Sequence, residues 1–159
     1  MPSVSVLIKP VSGKCNMKCE YCFYNDVAAH RDMADLGLMS ERTLEAIVRE
    51  VFSLADGGAS FSFQGGEPTL RGLDFYRGFI DLQRRYNRKK LTVTNCLQTN
   101  GQLIDDEWAQ FLAENRFLVG LSLDGPRELH DRFRRGANGS ETYAHVMKAA
   151  ETLKKHGVD

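Results

Sequence analysis

The sequence lacks an excess of charge of either sign, and it lacks long hydrophobic runs. Lysine plus arginine and aspartate plus glutamate each number 21 among 159 residues, so the formal net charge is zero. Nucleic acids and anionic membrane surfaces attract basic patches, and this balance gives no sign of either partner. A membrane-spanning helix needs about 20 consecutive apolar residues, and no run in the sequence approaches that length. We therefore expect neither a nucleic-acid partner nor a membrane partner.

The first residues also lack the features of a secretory leader. Residues 1–10 hold one short apolar stretch and no small-residue cleavage site, so we expect a cytoplasmic protein. Cysteine is scarce as well, with four residues in all: Cys15, Cys19, Cys22 and Cys96. The first three lie close together, and in a reducing cytoplasm such clustering indicates metal binding rather than disulfides.

β-rich apolar runs alternate along the chain with stretches of helical periodicity. Strands are predicted at residues 4–8, 61–64, 91–98 and 117–123. Helices are predicted at residues 40–55, 73–86 and 142–156, and a further helix is predicted to begin at 105–107. The order βαβαβαβα with right-handed crossovers predicts an α/β fold in which helices lie outside a parallel sheet.

The last residues, 157–159, fall where a loop would lead from a helix into a fifth strand. Four βα units make only part of a barrel and leave a sheet edge unpaired. We therefore expect residues 1–159 to be the N-terminal part of a longer barrel domain. The alternative is a complete small protein of the flavodoxin type, although such a sheet normally has five strands.

The first motif with chemical content is a C-x3-C-x2-C run formed by Cys15, Cys19 and Cys22, directly after the first predicted strand. Iron–sulfur clusters are held by cysteine thiolates, usually four, so three ligands would leave one iron open to another molecule. The alternative is a zinc site whose fourth ligand is His30 or His130. Zinc sites normally show two ligand pairs, and this chain has a single triplet.

Polar residues also follow the other three predicted strands. Residues 64–69 read Gln-Gly-Gly-Glu-Pro-Thr, in which two glycines allow a ligand close to the backbone and Glu67 suits a cationic partner. Residues 98–101 and 122–126 end the next two strands. Each segment alone could be an ordinary turn, but the carboxyl ends of parallel strands meet at one edge. Their repetition predicts a site at one mouth of a barrel.

The cysteine triplet with Tyr21 before its last member, together with the GGEP run at residues 65–68, resembles the radical SAM superfamily, in which SAM is S-adenosylmethionine. Within it, the chain resembles the anaerobic sulfatase-maturating enzymes over nearly its whole length. The matching segments are residues 8–10, 21–24, 63–70, 97–101 and 119–126. This resemblance implies a partial (β/α)6 TIM-like barrel that contains four βα units.

The resemblance also implies two cofactors and the residues that hold them. Cys15, Cys19 and Cys22 would hold a [4Fe–4S] cluster whose open iron binds SAM, and one electron would then release a 5′-deoxyadenosyl radical. The residues implied for the SAM pocket are Tyr21, Tyr24, Gly65, Gly66, Glu67, Ser122 and Arg134. The implied substrate is a sulfatase polypeptide whose cysteine or serine becomes Cα-formylglycine, with flavodoxin or ferredoxin as the electron donor.

The resemblance further implies parts that these 159 residues do not contain. The family's catalytic base would fall beyond Asp159, and so would a C-terminal domain with auxiliary iron–sulfur clusters. We therefore expect no catalytic residue in this fragment, which would bind cluster and SAM without completing maturation. A radical SAM enzyme that crosslinks peptides through thioether or carbon–carbon bonds remains an alternative, as does a zinc-binding domain without enzymatic activity.

Several other residues are predicted to have structural roles only. Cys96 is interpreted as a core residue, and His130 as structural rather than catalytic. Arg132 and Arg135 are predicted to lie on a solvated face. Three methionines are interpreted as apolar packing around the cysteine loop: Met17, Met33 and Met39.

Overall fold

In the part of the chain that the structure describes, the sheet has four parallel strands in the sequential order β1-β2-β3-β4. The computed structural model describes residues 2–30, 32 and 35–159, with Asn25, Ala28 and Ala29 described by their backbone alone. The strands are β1 (Ser3–Ile8), β2 (Gly58–Phe63), β3 (Val93–Thr99) and β4 (Phe117–Leu121). All four predicted strands are present, with bounds that differ by up to three residues.

Six helices lie within the described residues, four between successive strands and two after β4. They are α1 (Phe23–Ala29), α2 (Glu41–Leu54), α3 (Leu73–Tyr86), α4 (Asp106–Glu114), α5 (Arg127–Phe133) and α6 (Tyr143–Lys155). The four longer ones were predicted, whereas α1, α5 and a 3₁₀ turn at Pro68–Arg71 were not, because so few residues show no clear periodicity. Among the described residues, no helix combines the length and apolarity that crossing a membrane requires.

Side-chain caps fix where two of the predicted helices begin. The Ser40 hydroxyl accepts a hydrogen bond from the backbone N–H of Thr43 at 3.1 Å, so α2 begins after it. The Asp105 carboxylate does the same for Trp108 at 2.9 Å before α4. Each cap satisfies an N–H that has no partner inside the helix, which typically stabilises a helix by about 1 kcal/mol.

One face of the sheet packs against the helices and forms the core. Alternate strand residues point to this face, and the aromatic ones among them interlock with α3. The Phe61 and Phe63 rings meet the Phe79 ring edge-on, with centroids 5.2 and 4.9 Å apart. All three are almost fully buried, and each contributes about 1.5–3 kcal/mol by leaving water.

The opposite face of the sheet carries smaller and more polar side chains. Cys96 lies on this face beside Gln98, while Asn95 and Leu97 point to the helices and are buried. Cys96 was predicted to be a core residue, but it is only partly buried. The reason is strand alternation, which places residue 96 on the face that the helices do not cover.

The sequential strand order distinguishes between the two fold alternatives. In a flavodoxin-like sheet the strand order is 2-1-3-4-5, so the order reverses at a switch point, and helices cover both faces. Here neighbouring strands in sequence are neighbours in space, and one hydrophobic cluster joins the sheet to α2, α3, α4 and α6. The structure is therefore part of a TIM-like barrel and not a doubly wound sheet.

The methionine prediction is confirmed for the two residues that the structure describes. Met17 is buried beside the cysteine loop, and Met39 packs partly buried against the core. Met33 lies outside the described residues.

Candidate functional site

A cavity of about 320 Å³ opens at the carboxyl-terminal edge of the sheet, where segments following all four strands meet. Every residue predicted to hold a cluster or SAM lines this cavity. The lining residues are Cys15, Met17, Cys19, Tyr21, Cys22, Phe23, Tyr24, Gln64, Gly65, Gly66, Glu67, Gln98, Thr99, Asn100, Ser122 and Arg134. The structure thus brings the ten predicted residues together, while the role of each stays a prediction.

The cysteine loop is held by a segment more than 110 residues later in the chain. Met17 and Gly136 form an antiparallel β-bridge. Backbone N–H groups of Lys18 and Glu20 donate to the carbonyls of Arg135 and Phe133, at 2.8 and 3.0 Å. These contacts, which we call the loop bridge, fix the backbone that carries the three cysteines.

Gly66 closes the other side of the cysteine loop. Its backbone is left-handed, with φ +58°, and a Cβ built there would lie 2.1 Å from the carbonyl oxygen of Lys14. The next residue, Glu67, donates its backbone N–H to the same oxygen at 2.8 Å. A side chain at position 66 would therefore push apart the two segments that carry the cysteines and the GGEP run.

Glu67 lies at the bottom of the cavity and is almost fully buried, with 1% of its surface exposed. Its Oε1 accepts hydrogen bonds from the N–H and hydroxyl of Thr69, at 3.1 and 2.6 Å, and from the Thr99 hydroxyl at 2.8 Å. Its Oε2 accepts from the backbone N–H of Asn100 at 2.7 Å. Four donors thus offset the cost of burying this charge, and Glu67 ties the end of β2 to the end of β3.

The cysteine thiols are partly buried in the cavity wall. Burial raises the pKa of Cys15 above its ordinary value, although hydrogen bonds from Met17 and Asn100 oppose the shift. Burial also raises the pKa of Cys19, where the nearby Arg134 charge opposes it. Thiols that metal binds must lose their protons, so metal binding here would release protons.

Neither of the histidines considered as a fourth zinc ligand is among the described residues that line this cavity. His30 is exposed, and its Nδ1 contacts the carbonyl of Asp26 at 2.8 Å. Among residues 2–30, 32 and 35–159, no three His, Cys, Asp or Glu side chains gather closely enough to hold one metal ion. Zinc needs its ligands around a single ion, whereas a four-iron cluster takes one thiolate on each iron. A donor set of three thiols lining one cavity fits the cluster.

Arg134 reaches the cavity from the end of α5 and is 9% exposed. Its Nη1 donates to the Tyr21 phenol oxygen at 2.8 Å and lies 3.8 Å from Oδ1 of Asp124. The Tyr21 hydroxyl in turn donates to Oδ2 of Asp124. The Nε of Arg134 is buried and has no hydrogen-bond partner among the described residues. Since buried N–H groups are rarely left unpaired, this atom marks a place for an acceptor.

His130 is linked to the backbone of Arg134 through the Thr142 hydroxyl. The backbone N–H of Asp124 donates to its Nδ1 at 3.3 Å, so the ring proton sits on Nε2, which contacts the Thr142 hydroxyl at 3.0 Å. That hydroxyl donates to the carbonyl of Arg134 at 2.7 Å. Burial and the Arg134 charge lower the pKa of His130 below its ordinary value. These contacts agree with the prediction that His130 has a structural role.

Ser122, at the end of β4, is oriented by a side chain from β3. Nε2 of Gln98 donates to the Ser122 hydroxyl at 3.0 Å. Gly120 makes room for this contact, because a Cβ there would lie 2.2 Å from Oε1 of Gln98. Sequence analysis flagged residues 98–101 as a polar strand end but gave Gln98 no individual function.

Lys9 packs against two residues that line the cavity. Its Nζ lies 4.4 Å from the centroid of the Tyr24 ring, a cation–π contact. Its side chain also crosses Gly65, where a Cβ would lie 2.6 Å from Cε of Lys9. The two predicted residues Tyr24 and Gly65 therefore share one neighbour, which sequence analysis did not identify as a site residue.

Comparison with protein families gives one match over most of the chain. The model of the radical SAM superfamily matches residues 10–159. Among curated proteins, a cysteine-type anaerobic sulfatase-maturating enzyme from Clostridium perfringens (strain ATCC 13124) is 50% identical over 159 residues, which is all of this chain and 43% of that protein. A serine-type anaerobic sulfatase-maturating enzyme from Bacteroides thetaiotaomicron is 41% identical over 155 residues, 97% of this chain and 37% of that protein.

Solved structures give the same result at the level of the fold. Native anSMEcpe with bound AdoMet superposes with a TM-score of 0.94 at 50% identity, over 99% of this chain and 43% of that one. Native anSMEcpe with bound AdoMet and Cp18Cys peptide gives a TM-score of 0.92 at 49% identity, over 99% and 42%. The chain thus spans less than half the length of each of these four relatives.

Proposed function

This chain belongs to the radical SAM superfamily, and from that premise we propose that the protein containing it oxidises a cysteine or serine of a sulfatase to Cα-formylglycine. The observation that carries the proposal is a single cavity lined by three cysteines and by Arg134, whose buried Nε has no hydrogen-bond partner among the described residues. The relatives named as sulfatase-maturating enzymes, 50% and 41% identical, support the substrate class.

In this proposal each of Cys15, Cys19 and Cys22 binds one iron of a [4Fe–4S] cluster. When bound, the cluster and SAM together supply a carbon-centred radical that abstracts hydrogen from the target residue. The reducing cytoplasm expected from the cysteine usage suits such a cluster, and flavodoxin or ferredoxin is the proposed electron donor.

The protein's own side chains bind and orient SAM. Arg134 would pair with the SAM carboxylate, because its guanidinium is a fixed fork of donors in which Tyr21 holds Nη1 while Nε has no described partner. The Ser122 hydroxyl, which accepts a hydrogen bond from Gln98, would be a second polar group toward SAM. Tyr24, Gly65 and Gly66 form the opposite wall. Glu67 acts mainly by holding β2 and β3 together, since both of its oxygens already accept hydrogen bonds.

The test uses the full-length protein that contains these residues, reconstituted with iron and sulfide without oxygen. We expect a brown protein that converts SAM to 5′-deoxyadenosine when dithionite is added. Two peptides from a sulfatase, differing only in cysteine or serine at the target position, are then incubated with it. Mass spectrometry should show formylglycine in at least one of them.

Two outcomes would count against the proposal at different levels. A protein that binds zinc instead of iron, or never cleaves SAM, would overturn the cofactor assignment. Cluster formation and SAM cleavage with both sulfatase peptides unchanged would overturn the substrate and favour another peptide modification. The fragment of residues 1–159 alone is expected to leave both peptides unmodified, since the predicted base lies beyond Asp159.

A further inference from the structure

Asn100 is a buried residue, 6% exposed, whose side chain reaches the cysteine loop from the end of β3. Its Nδ2 donates to Oδ1 of Asn16 at 2.8 Å and to Sγ of Cys15 at 3.7 Å. Its Oδ1 accepts from the backbone N–H of Gln102 at 3.0 Å. This acceptor contact fixes which way the amide points, so the NH₂ group faces the sulfur.

The backbone of Asn100 is held just as firmly as its side chain. Its N–H donates to the buried carboxylate of Glu67 at 2.7 Å, and the Glu67 N–H donates to the carbonyl of Lys14 at 2.8 Å. Lys14 precedes Cys15, so the contacts form a closed ring through Asn100, Glu67, Lys14 and Cys15. A ring of this kind holds the amide donor at a fixed place beside the sulfur.

The three cysteines are not equivalent in this respect. Within residues 2–30, 32 and 35–159, only Cys15 receives a hydrogen bond from another side chain, and it also accepts one from the backbone N–H of Met17 at 3.4 Å. Cys19 faces the Arg134 charge instead. The surroundings of the three sulfurs therefore differ, and hydrogen bonds to sulfur are one of the factors that set the potential of an iron–sulfur cluster.

We propose that Asn100 raises the reduction potential of the cluster by donating a hydrogen bond to the Cys15 thiolate. This inference rests on the proposed function, because it assumes that Cys15 binds a [4Fe–4S] cluster. One electron from the low-potential donor reduces the cluster, and no bond is made or broken in that step. The added negative charge spreads onto the thiolates, so an N–H donor stabilises the reduced form more than the oxidised form. Asn100 is thus a positioning residue, because it acts on the cluster through Cys15.

The experiment measures the reduction potential of the reconstituted full-length protein by titration followed with electron paramagnetic resonance. Asn100→Leu removes the donor at similar volume, and Asn100→Asp keeps the shape while replacing the donor with a negative acceptor. Gln102→Ala is the matched control, because Gln102 lies on the same loop and its side chain contacts Thr142 rather than the cysteines.

In Asn100→Leu we expect the ratio of reduced to oxidised cluster at a fixed potential to fall about tenfold, which for one electron corresponds to a reduction potential lower by about 59 mV. Asn100→Asp should lower the reduction potential further, and Gln102→Ala should have the potential of the unmodified protein. A potential in Asn100→Leu equal to that of the unmodified protein would overturn the inference. Loss of the cluster in both Asn100 variants would also overturn it, since Asn100 would then hold the loop rather than tune the cluster.

The same experiment separates this inference from the proposed function. If the unmodified protein forms no [4Fe–4S] cluster, the proposed function fails before any variant is compared. If it forms the cluster and cleaves SAM while the Asn100 variants keep its potential, only the inference about Asn100 fails.

Discussion

Tyr21 and Arg134 lie 113 positions apart in the sequence, yet Nη1 of Arg134 donates a hydrogen bond of 2.8 Å to the Tyr21 phenol oxygen. The Tyr21 hydroxyl in turn donates a hydrogen bond to Oδ2 of Asp124. The guanidinium is therefore held at one nitrogen, while its Nε remains buried without a described partner. A residue from the cysteine motif thus orients the arginine that we assign to the SAM carboxylate.

Replacing Arg134 with lysine should weaken SAM binding while the cluster is retained. Lysine keeps the positive charge but lacks the rigid planar fork that directs one N–H to Tyr21 and another to a carboxylate from fixed positions. Loss of one charge-assisted hydrogen bond costs about 1.5–3 kcal/mol, or about 10–100-fold in affinity. Equilibrium binding of SAM to the reconstituted protein measures the change. Arg132→Lys is the control, because Arg132 is exposed as predicted, and equal affinities in the two variants would contradict the assignment.

Replacing Cys19 with alanine should abolish the iron–sulfur cluster. Two thiolates leave too few ligands for a four-iron cluster, so iron content and the absorption near 400 nm should both be lost. Cys96→Ala should keep both, since Cys96 lies on β3 outside the cavity wall. A Cys19→Ala protein with full iron content would show that the triplet does not hold the cluster.

Replacing Gly66 with alanine should destabilise the protein by about 1–3 kcal/mol, because it strains a left-handed residue and meets the Lys14 carbonyl. Gly78→Ala provides the matched control, since Gly78 lies within α3 and its Cβ would meet nothing within 4 Å. Gly78→Ala should stabilise the protein by about 0.5–1 kcal/mol, because alanine loses less conformational freedom in a helix than glycine does. Urea denaturation measures the free energy of unfolding of both variants. An unchanged value in Gly66→Ala would contradict the close approach of residue 66 to the Lys14 carbonyl.

Folding stability should fall as the pH drops below about 6.5, the ordinary pKa of histidine. His130 has a lowered pKa in the folded protein, so between the two values the unfolded chain binds more protons. The contribution of His130 to the free energy of unfolding is therefore complete above its pKa in the unfolded chain. It is lost as the pH falls through its lower pKa in the folded protein. The free energy of unfolding, measured from pH 8 to 5, should decline less in His130→Gln than in the exposed control His145→Gln. An identical dependence on pH in the two variants would contradict the lowered pKa of His130.

The sequence predicted most of the sheet and ten residues that the structure brings together in one cavity, for a physical reason, while the role of each residue stays a prediction. Long elements such as α2 and α3 reveal themselves by periodicity, and reactive residues follow strand ends that must meet at one edge. Contacts between distant segments leave no local signal, so the support of Arg134 by Thr142 was missed. Cys96 was misjudged because its residue type indicates burial, while strand alternation decides which face it occupies.

The loop bridge sets an order of events during synthesis. The cysteine loop takes its shape from Gly136 and the residues before it, so it cannot adopt that shape until the ribosome has delivered them. At about 5–20 residues per second, more than 110 residues separate the two segments by roughly 6–20 s. During that interval the cysteine loop lacks the three backbone contacts of the loop bridge. We therefore expect a cluster held by these cysteines to assemble only after translation has passed Gly136.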